Sequence, residues 1–379
     1  MNYTHDIMKT SGTEDLDYLQ EKAYAYGIPL EDVLFIDLNR QGVITDIPHE
    51  RIRFYFKLIN DPRFKESNER GVKDYFFGLP TPELDSDYAL SGGKILLRGK
   101  EIGAVNDVQN DTCDSTYPRR EGTVLNLNIK SKSTCHGCAF CHTFKQTSRD
   151  LYGKEKSPKE LTEILVKEWL EKYSRQDLSY LYRLDILTGC FGGEEELVKS
   201  LFDVRETFSK YRYRGEIFYF GSEITSKQAF DKLEAIKPFG FCLSLECFSN
   251  REKLLKKHKA NITLEDAKQI LATSKDKGFG TQFSYVLGLE PKEIVVEGME
   301  EFLSLVNRLP VINVFQPHTM EQRKLLVQEA RSLDYFLDIR KEMERIFGPT
   351  GYRPRTWGNY RCLWYLKFAN EKLEGSRLP

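Results

Sequence analysis

The sequence predicts an α/β protein whose main body is a partial (β/α)6 TIM-like barrel, preceded by a smaller accessory α+β region. Two observations predict this fold class. From residue 124 onward, six short apolar stretches alternate with segments of helical spacing, which is typical of a parallel sheet covered by helices. The chain of 379 residues is also long enough to bury the core of such a barrel. The predicted strands span residues 124–129, 182–187, 216–220, 241–245, 282–287 and 311–315.

The segments between these strands carry signals of helix starts and of buried helix faces. Ser157 and Pro158 supply an N-cap and a first-turn proline, and Glu160 completes a capping box. Apolar residues then recur at helical spacing as far as Trp169, and a second helix opens at Thr263 with an apolar face of its own. A sheet whose strands are joined by helices in this way can curl into a partial barrel.

The first 122 residues are less regular and are interpreted as the accessory region. Their predicted elements are a helix near 16–26, an apolar strand at 33–36 and a hairpin with strands 94–98 and 101–105. The polar, turn-rich stretch 106–122 marks the predicted boundary with the barrel. We therefore expect an accessory region at 1–122, the barrel at 123–345, and a C-terminal extension at 346–379 that packs a final helix on the barrel.

The charge balance argues against a nucleic-acid partner. The chain has 56 basic and 57 acidic side chains, whereas a nucleic-acid-binding protein usually carries a net basic footprint or a basic stripe. The nearest candidate for such a stripe, from Lys253 to Lys259, is interpreted as the solvated face of a helix. We therefore expect no nucleic acid among the partners.

The sequence also lacks the features of a membrane or secreted protein. No stretch approaches the roughly 18 uninterrupted apolar residues of a membrane span. Residues 1–20 lack the basic segment followed by an apolar one that marks a signal peptide. We therefore expect a cytoplasmic protein with no membrane partner. Its eight cysteines should then be reduced, so a tight cluster of them indicates a metal rather than disulfides.

The most informative motif is Cys135-x-x-Cys138-x-x-Cys141, which directly follows the first predicted barrel strand. Eight cysteines placed at random in a chain of this length would form this spacing roughly 0.004 times. A loop this tight can turn three thiolates onto one face of a cubane iron–sulfur cluster and leave the fourth iron open to a small molecule. A structural zinc site instead needs four protein ligands, and the local candidates for the fourth are His136 and His142. Both metals stay open on spacing alone.

The order of these features resembles the radical SAM superfamily. That family has a strand, a cysteine loop with an aromatic residue before its last cysteine, and then alternating strands and helices. Its usual loop is CxxxCxxC, so this chain is one residue short between the first two cysteines, where Gly137 can let the loop turn. The resemblance implies a barrel of the radical SAM type with a [4Fe-4S] cluster on Cys135, Cys138 and Cys141. It also implies S-adenosylmethionine as a cofactor, with Phe140 beside its adenine.

Further matches to the family follow at predicted strand ends. Gly192, Gly193 and Glu194 resemble the glycine-glycine-glutamate motif that holds the amino group of S-adenosylmethionine. Glycines permit a close approach of the backbone, and carbonyls with a carboxylate suit an ammonium group. Val286 and Gly288 are similar to the turn that contacts adenine in the family.

Other polar residues follow the predicted strands at their carboxyl ends, where barrel active sites form. Glu246 ends the fourth strand, and the resemblance implies that it reaches the ribose or methionine part of S-adenosylmethionine. Four further residues are tentative substrate contacts because they follow the third and sixth strands. These are Ser222, Glu223, Gln316 and His318.

The cysteines outside the motif divide into two groups. Cys190 and Cys247 lie at strand ends that face the presumed cavity, so either is a candidate to donate a hydrogen atom to a product radical. Cys113, Cys242 and Cys362 are interpreted as small buried hydrophobic residues. Because these five thiols form no second compact motif, we expect no auxiliary cluster.

The resemblance implies a reaction as well as a site. One electron from a donor such as flavodoxin or ferredoxin reaches the cluster, and S-adenosylmethionine is cleaved to methionine and a 5'-deoxyadenosyl radical. That radical abstracts hydrogen from a substrate in the barrel. The lack of an auxiliary-cluster motif and of a cobalamin-type domain favours a rearrangement, lyase, epimerisation or dehydrogenation reaction on a small or medium-sized organic molecule.

Two alternatives remain open at this stage. The substrate can instead be a peptide or protein recruited by the accessory region, which an exposed strand edge or groove there would favour. The chain can also be a non-catalytic protein that binds zinc or an iron–sulfur cluster. Colour separates these metals, because a [4Fe-4S] protein is brown and a zinc protein is colourless.

Overall fold

The computed structural model describes residues 14–71, 74–82, 85–111, 117–119, 122–130, 135, 137–142, 157–187, 190–354 and 363–373. The helices are α1 Glu14–Tyr26, α2 Leu30–Gln41, α3 Lys65–Arg70, α4 Pro158–Lys172, α5 Glu194–Lys210, α6 Lys227–Leu233, α7 Arg251–Leu254, α8 Lys257–Ala260, α9 Leu264–Asp276, α10 Lys292–Phe302, α11 Met320–Arg323 and α12 Leu333–Phe347. The strands are β1 Arg51–Leu58, β2 Tyr75–Pro80, β3 Tyr88–Ser91, β4 Lys94–Leu97, β5 Lys100–Asn110, β6 Tyr117–Arg119, β7 Val124–Leu127, β8 Arg183–Ile186, β9 Glu216–Gly221, β10 Phe239–Glu246, β11 Gly280–Leu287, β12 Val311–Val314, β13 Lys367–Phe368 and β14 Glu371–Lys372. Within these residues, no helix is both long enough and apolar enough to cross a membrane.

The main sheet is an open, curled half-barrel, which confirms the predicted α/β fold class. Its order is β12-β11-β10-β9-β8-β7-β6, and the six strands from β7 to β12 run parallel in chain order. Parallel neighbours need a crossover connection, and helices supply it here. All six predicted strands are found, with ends within two residues of those expected. Strand β6 adds an antiparallel edge.

The two faces of the half-barrel have different neighbours. On β10, Phe241, Leu243 and Leu245 belong to the large apolar core, and Phe241 meets Phe230 of α6 edge-on. Because side chains alternate along a strand, the opposite face of β10 carries Ser244 and Glu246. The inner face therefore holds polar groups, and the helices cover the outer one.

A second sheet is antiparallel and contains the predicted hairpin. Its order is β2-β1-β5-β4-β3, and β4 pairs with β5 as expected. The predicted helix near residue 16 is also found, as α1. The predicted strand at 33–36 is wrong, because these residues lie in α2. Phe35 of that helix packs edge-on against Phe77 of β2. Residues 30–39 of α2 are all buried, so the apolar run lacks the one-sided pattern that marks a surface helix.

The C-terminal residues differ from the expected final helix. The last described helix is α12, and residues 363–373 instead form the short β13–β14 hairpin. Ala369 and Asn370, with φ of 48° and 70°, supply the left-handed turn that a two-residue hairpin loop requires. Trp364 donates to Glu344 over 2.9 Å, so this part of the extension contacts α12. Residues 355–362 and 374–379 lie outside the described part.

Candidate active site

The cysteine loop follows β7 and reaches a small apolar cluster at the barrel mouth. Cys138 is buried there against Cys247, Val286 and Phe315. The backbone holds the loop: Ala139 N–H donates to the carbonyl of Leu254 over 2.9 Å, and Cys141 N–H donates to that of Cys138 over 2.9 Å. Gly137 has a φ of 42°, the left-handed conformation expected of the shortened loop. His136, one candidate zinc ligand, lies outside the described residues.

Residues beyond the sixth barrel strand hold the same loop. Gln322 donates its side-chain amide to the carbonyl of Phe140 over 3.3 Å, and the Phe140 ring meets Phe315 edge-on at 6.5 Å. His142 stacks on His318, with ring centroids 4.2 Å apart and planes at 5°. Gln322 was not predicted as a site residue, because its contact with the loop spans 182 positions.

Two lysines bring positive charge to the thiols. The Lys256 ammonium lies 3.0 Å from the sulfur of Cys135 and 2.7 Å from that of Cys190. Lys259, whose side chain is 11% exposed, lies nearby, and its charge acts on both Cys135 and Cys138. Lys256 is 9% exposed, so the interpretation of this basic run as a solvated helix face is wrong for both residues. The run is split into α7 and α8, with Lys256 in the break between the two helices and Lys259 within α8.

Cys135 and Cys190 share a hydrogen bond, which shifts the pKa of the two thiols in opposite directions. The hydrogen bond to Cys190, assisted by the Lys256 ammonium, lowers the pKa of Cys135 to about 4. The same bond, together with burial, raises the pKa of Cys190 above its ordinary value. Burial lowers the pKa of Lys256, but the contacts with the two sulfurs outweigh burial and raise it overall. One thiolate next to one ammonium is therefore the stable state of this pair.

Glu246 is held in place by a buried ion pair. Its carboxylate lies 2.9 Å from the Lys259 ammonium, and its backbone has a φ of 70°, which is unusual for a non-glycine residue. Burial alone would raise the pKa of Glu246, but Lys259, Ser284 and Ser244 outweigh burial and lower it. The carboxylate is thus ionised at the strand end, adjacent to the cysteine loop.

The glycine-glycine-glutamate segment stands at the start of α5. Gly193 is the N-cap residue of this helix, and Gly192 N–H donates to Glu196 over 2.8 Å. The Glu194 carboxylate accepts from the N–H groups of Thr225 and Ser226 at 2.6 and 2.8 Å, and from the Ser226 hydroxyl at 2.6 Å. Because these donors occupy the carboxylate, a ligand ammonium group would meet chiefly the backbone carbonyls of this segment.

The end of β11 packs directly against the cysteine loop. Val286 is buried beside Cys138, which places the predicted adenine contact at the same mouth. Gly288 has a φ of 109°, and a Cβ there would lie 3.0 Å from Leu326. Glu290 is fully buried and accepts from the backbone N–H of Phe248 over 2.8 Å. Its role in fixing the loop after β10 was not predicted.

The four tentative substrate residues fall into two separate places. Glu223 and Cys190 lie together at the ends of β9 and β8, and the Ser222 hydroxyl is 3.4 Å from the His258 ring. Gln316 and His318 instead face the accessory region, where the Arg51 guanidinium lies 3.0 and 3.3 Å from them. The structure places the first pair beside Cys190 and His258, whereas in the second pair His318 stacks on His142 of the cysteine loop and Gln316 contacts Arg51.

The remaining cysteines are in apolar surroundings where they are described. Cys242 is fully buried, as predicted, beside Phe218 and Val311. Cys247 is also fully buried, and burial together with the charge of Glu290 raises its pKa to about 12. It is therefore a neutral thiol at physiological pH. Cys113 and Cys362 lie outside the described residues.

The residues present fit a [4Fe-4S] cluster. Cys135, Cys138 and Cys141 lie on one short loop and form no disulfide, and iron–sulfur clusters take thiolate ligands. A cluster with three thiolate ligands is negatively charged, and Lys256 and Lys259 place two cations beside it. The donor set of three sulfurs leaves one iron without a ligand from the motif.

Comparisons with known proteins give partial likenesses in fold. No family model and no curated protein matches the sequence. The chain is similar to Streptococcus suis SuiB, solved bound to precursor peptide SuiA, at 14% identity and a TM-score of 0.36, covering 50% of this chain and 39% of that one. It is also similar to coproporphyrinogen III oxidase (HemN) from Escherichia coli, a radical SAM enzyme, at 17% identity and a TM-score of 0.41, covering 61% and 53%. Function is therefore inferred below from this chain's own residues.

Proposed function

We propose that this chain is a radical SAM enzyme that binds a [4Fe-4S] cluster through Cys135, Cys138 and Cys141. The observation that carries the proposal is the position of this loop: it follows the first parallel strand, at the mouth of the half-barrel, with two lysine ammonium groups beside it. Barrel enzymes place their reacting groups at this end of the strands. When bound, the cluster would supply the electron that cleaves S-adenosylmethionine to a 5'-deoxyadenosyl radical.

The surrounding residues would bind and orient S-adenosylmethionine. The backbone of Gly192 and Gly193 would accept from its amino group, while Phe140 and Val286 would line its adenine. Glu246, kept ionised by Lys259, would accept from the ribose hydroxyls. The apolar packing around Cys138 would exclude water and oxygen from the cluster.

The inner face of the barrel favours a polar substrate. Asn126 of β7 is 2% exposed, and neither atom of its amide has a hydrogen-bond partner among the described residues. Leu125 and Leu127 belong to the outer core, so Asn126 points into the barrel. A buried amide without partners costs about 1–3 kcal/mol, which a bound ligand would recover. We therefore propose a small or medium-sized organic substrate with hydrogen-bonding groups.

Anaerobic turnover tests this function. The cluster is reconstituted and reduced with dithionite, or with flavodoxin or ferredoxin as the proposed donor, and S-adenosylmethionine is added. We expect 5'-deoxyadenosine from the wild type and from Cys242→Ala, a control whose thiol is buried away from the loop, but none from Cys138→Ala. A full brown cluster that yields no nucleoside would contradict the proposed activity and favour a structural or sensing cluster.

A further inference from the structure

A second set of metal-binding side chains meets beside the cysteine loop. Cys190, Glu223 and His258 each offer one ligand atom, and these atoms all lie within 4.8 Å of one another. The three residues come from different elements: the loop before α5, the end of β9 and helix α8. Convergence of sulfur, carboxylate oxygen and imidazole nitrogen from three elements is the pattern of a metal site rather than of one flexible loop.

The donor set suits a borderline divalent cation such as Zn²⁺. Zinc takes thiolate, imidazole and carboxylate ligands at about 2.0–2.3 Å, so neighbouring ligands of a tetrahedral ion lie about 3.5 Å apart. The observed limit of 4.8 Å between the three atoms exceeds that spacing by about 1 Å. Three protein ligands leave the fourth position open, as in catalytic zinc sites, and the exposed His258 gives an entry path from solvent.

The carboxylate is already oriented by its own partners. Glu223 accepts from the backbone N–H of Phe191 over 3.1 Å through one oxygen and from the Tyr219 hydroxyl through the other. Each carboxylate oxygen keeps a further lone pair for a metal. Such outer hydrogen bonds fix the direction of a ligating group and raise metal affinity.

Lys256 sets the occupancy of this site. The Lys256 ammonium lies 2.7 Å from the Cys190 sulfur, so a metal cation bound to that sulfur must displace the ammonium. Lys256 would then keep its other contact, with the Cys135 sulfur at 3.0 Å.

We propose that Cys190, Glu223 and His258 bind one Zn²⁺-like divalent cation beside the cluster, with an open position for an oxygen or nitrogen donor of the substrate. The Cys190 thiol releases its proton to solvent when the metal binds.

The zinc content of the protein that already holds its cluster tests the proposal. Reconstituted protein is dialysed anaerobically against Zn²⁺ at graded concentrations, and iron and zinc per chain are measured by mass spectrometry. We expect one zinc beyond the four irons of the cluster. His258→Asn, Glu223→Gln and Cys190→Ser should weaken zinc binding at least tenfold with iron unchanged, whereas the controls His49→Asn and Glu195→Gln should bind as wild type.

Lys256→Met should have the opposite effect on zinc binding from the three ligand substitutions. Removal of the competing ammonium should tighten zinc binding several-fold, which general damage to the site would not do. No zinc beyond the cluster in the wild type, or unchanged binding in His258→Asn, would overturn the proposal. Production of 5'-deoxyadenosine is measured separately on the same samples, so failure of the radical chemistry and failure of the zinc site are distinguishable.

Discussion

At the scale of single residues, Lys256 is the charge that couples the predicted cluster site to its surroundings. It is nearly buried and donates to the sulfurs of Cys135 and Cys190. Hydrogen bonds to cluster sulfurs, and positive charge near them, stabilise the reduced, more negative state. Lys256 should therefore raise the reduction potential of the cluster.

Replacing Lys256 with methionine tests this role, because methionine keeps the length of the side chain and removes the charge. We expect the midpoint potential of the cluster to fall by on the order of 50–100 mV, as one charge about 5 Å away at an intermediate effective dielectric would produce. Redox titration followed by EPR measures it. Lys253→Met, at an exposed position of α7, is the matched control. Equal potentials in wild type and Lys256→Met would rule out the electrostatic role.

The sequence revealed the cysteines but not the buried charged residues around the barrel mouth. The spacing of Cys135, Cys138 and Cys141 is a local pattern and could be read directly. Lys256 and Glu290 act across contacts of 121 and 42 positions, and no local pattern encodes such pairs. Both side chains also belong to types that are usually exposed, so burial could not be expected from residue type.

At the scale of elements, Glu194 fastens the start of α6 to the start of α5. Its carboxylate accepts from Thr225 and Ser226, and Ser226 is the N-cap of α6. Negative charge at a helix N-terminus is also favourable because of the helix dipole. The glutamate of the predicted cofactor motif thus has a structural part in the fold, which positions the glycines before it.

Glu194→Gln should lower the free energy of unfolding by about 1 kcal/mol at neutral pH, after allowance for solvent screening. Burial alone would raise the pKa of Glu194, but the bonds from Ser226 and Thr225 outweigh it and lower the pKa below 4.5. A lowered carboxyl pKa stabilises the folded state at pH values above the pKa in the unfolded state. This stability is lost as the pH falls through the pKa in the folded state.

Urea unfolding at pH 7 and pH 3 should therefore show the lower stability of Glu194→Gln only at pH 7. The exposed Glu195→Gln should show no such loss, and a deficit that persists at pH 3 would contradict this explanation.

The barrel elements could be predicted because their burial pattern is simple. Strands of a parallel sheet are covered on both faces and appear as short apolar runs between helices, as with β9 and β10. The run at 33–36 has the same appearance in sequence, yet it lies in α2, which is buried nearly along its whole length. A run of four apolar residues fits either state, and tertiary packing decides between them.

At the scale of the whole molecule, a buried ion pair joins the N-terminal and C-terminal parts of the chain. Asp32 of α2 lies 2.7 Å from Arg340 of α12, and both side chains are at most 2% exposed. The same carboxylate accepts from the backbone N–H groups of Tyr365 and Leu366 at 3.0 and 2.8 Å. The helix α2, the helix α12 and the C-terminal hairpin therefore meet at one carboxylate.

Asp32→Asn should destabilise the protein by about 1–3 kcal/mol, because it removes the buried counter-charge of Arg340 and leaves only the partly exposed Glu344, 3.1 Å away. The expected sign is a lower midpoint of thermal unfolding, measured by circular dichroism. Asp17→Asn, at a half-exposed surface pair with Arg63, should change the midpoint little. An unchanged midpoint in Asp32→Asn would show that the pair does not hold these parts together.

The packing of the accessory region on the barrel was beyond prediction from sequence. Arg51 of β1 reaches Gln316 across 265 positions, and it lies near His318, whose ring stacks on His142 of the cysteine loop. The sequence marked Gln316 and His318 as polar residues after a strand, which is correct, but their partners come from another sheet. Contacts between residues this far apart in the sequence depend on the fold and produce no periodic pattern in the sequence.

The proposed radical chemistry requires that the three-cysteine loop hold a cluster whose open iron binds S-adenosylmethionine. The most direct measurement is the EPR spectrum of the reconstituted, dithionite-reduced protein before and after S-adenosylmethionine is added. We predict a [4Fe-4S] signal in the wild type that changes when S-adenosylmethionine binds, and its loss in Cys138→Ala. A wild-type signal that stays unchanged with saturating S-adenosylmethionine, or one that persists in Cys138→Ala, would rule out the proposed cluster site.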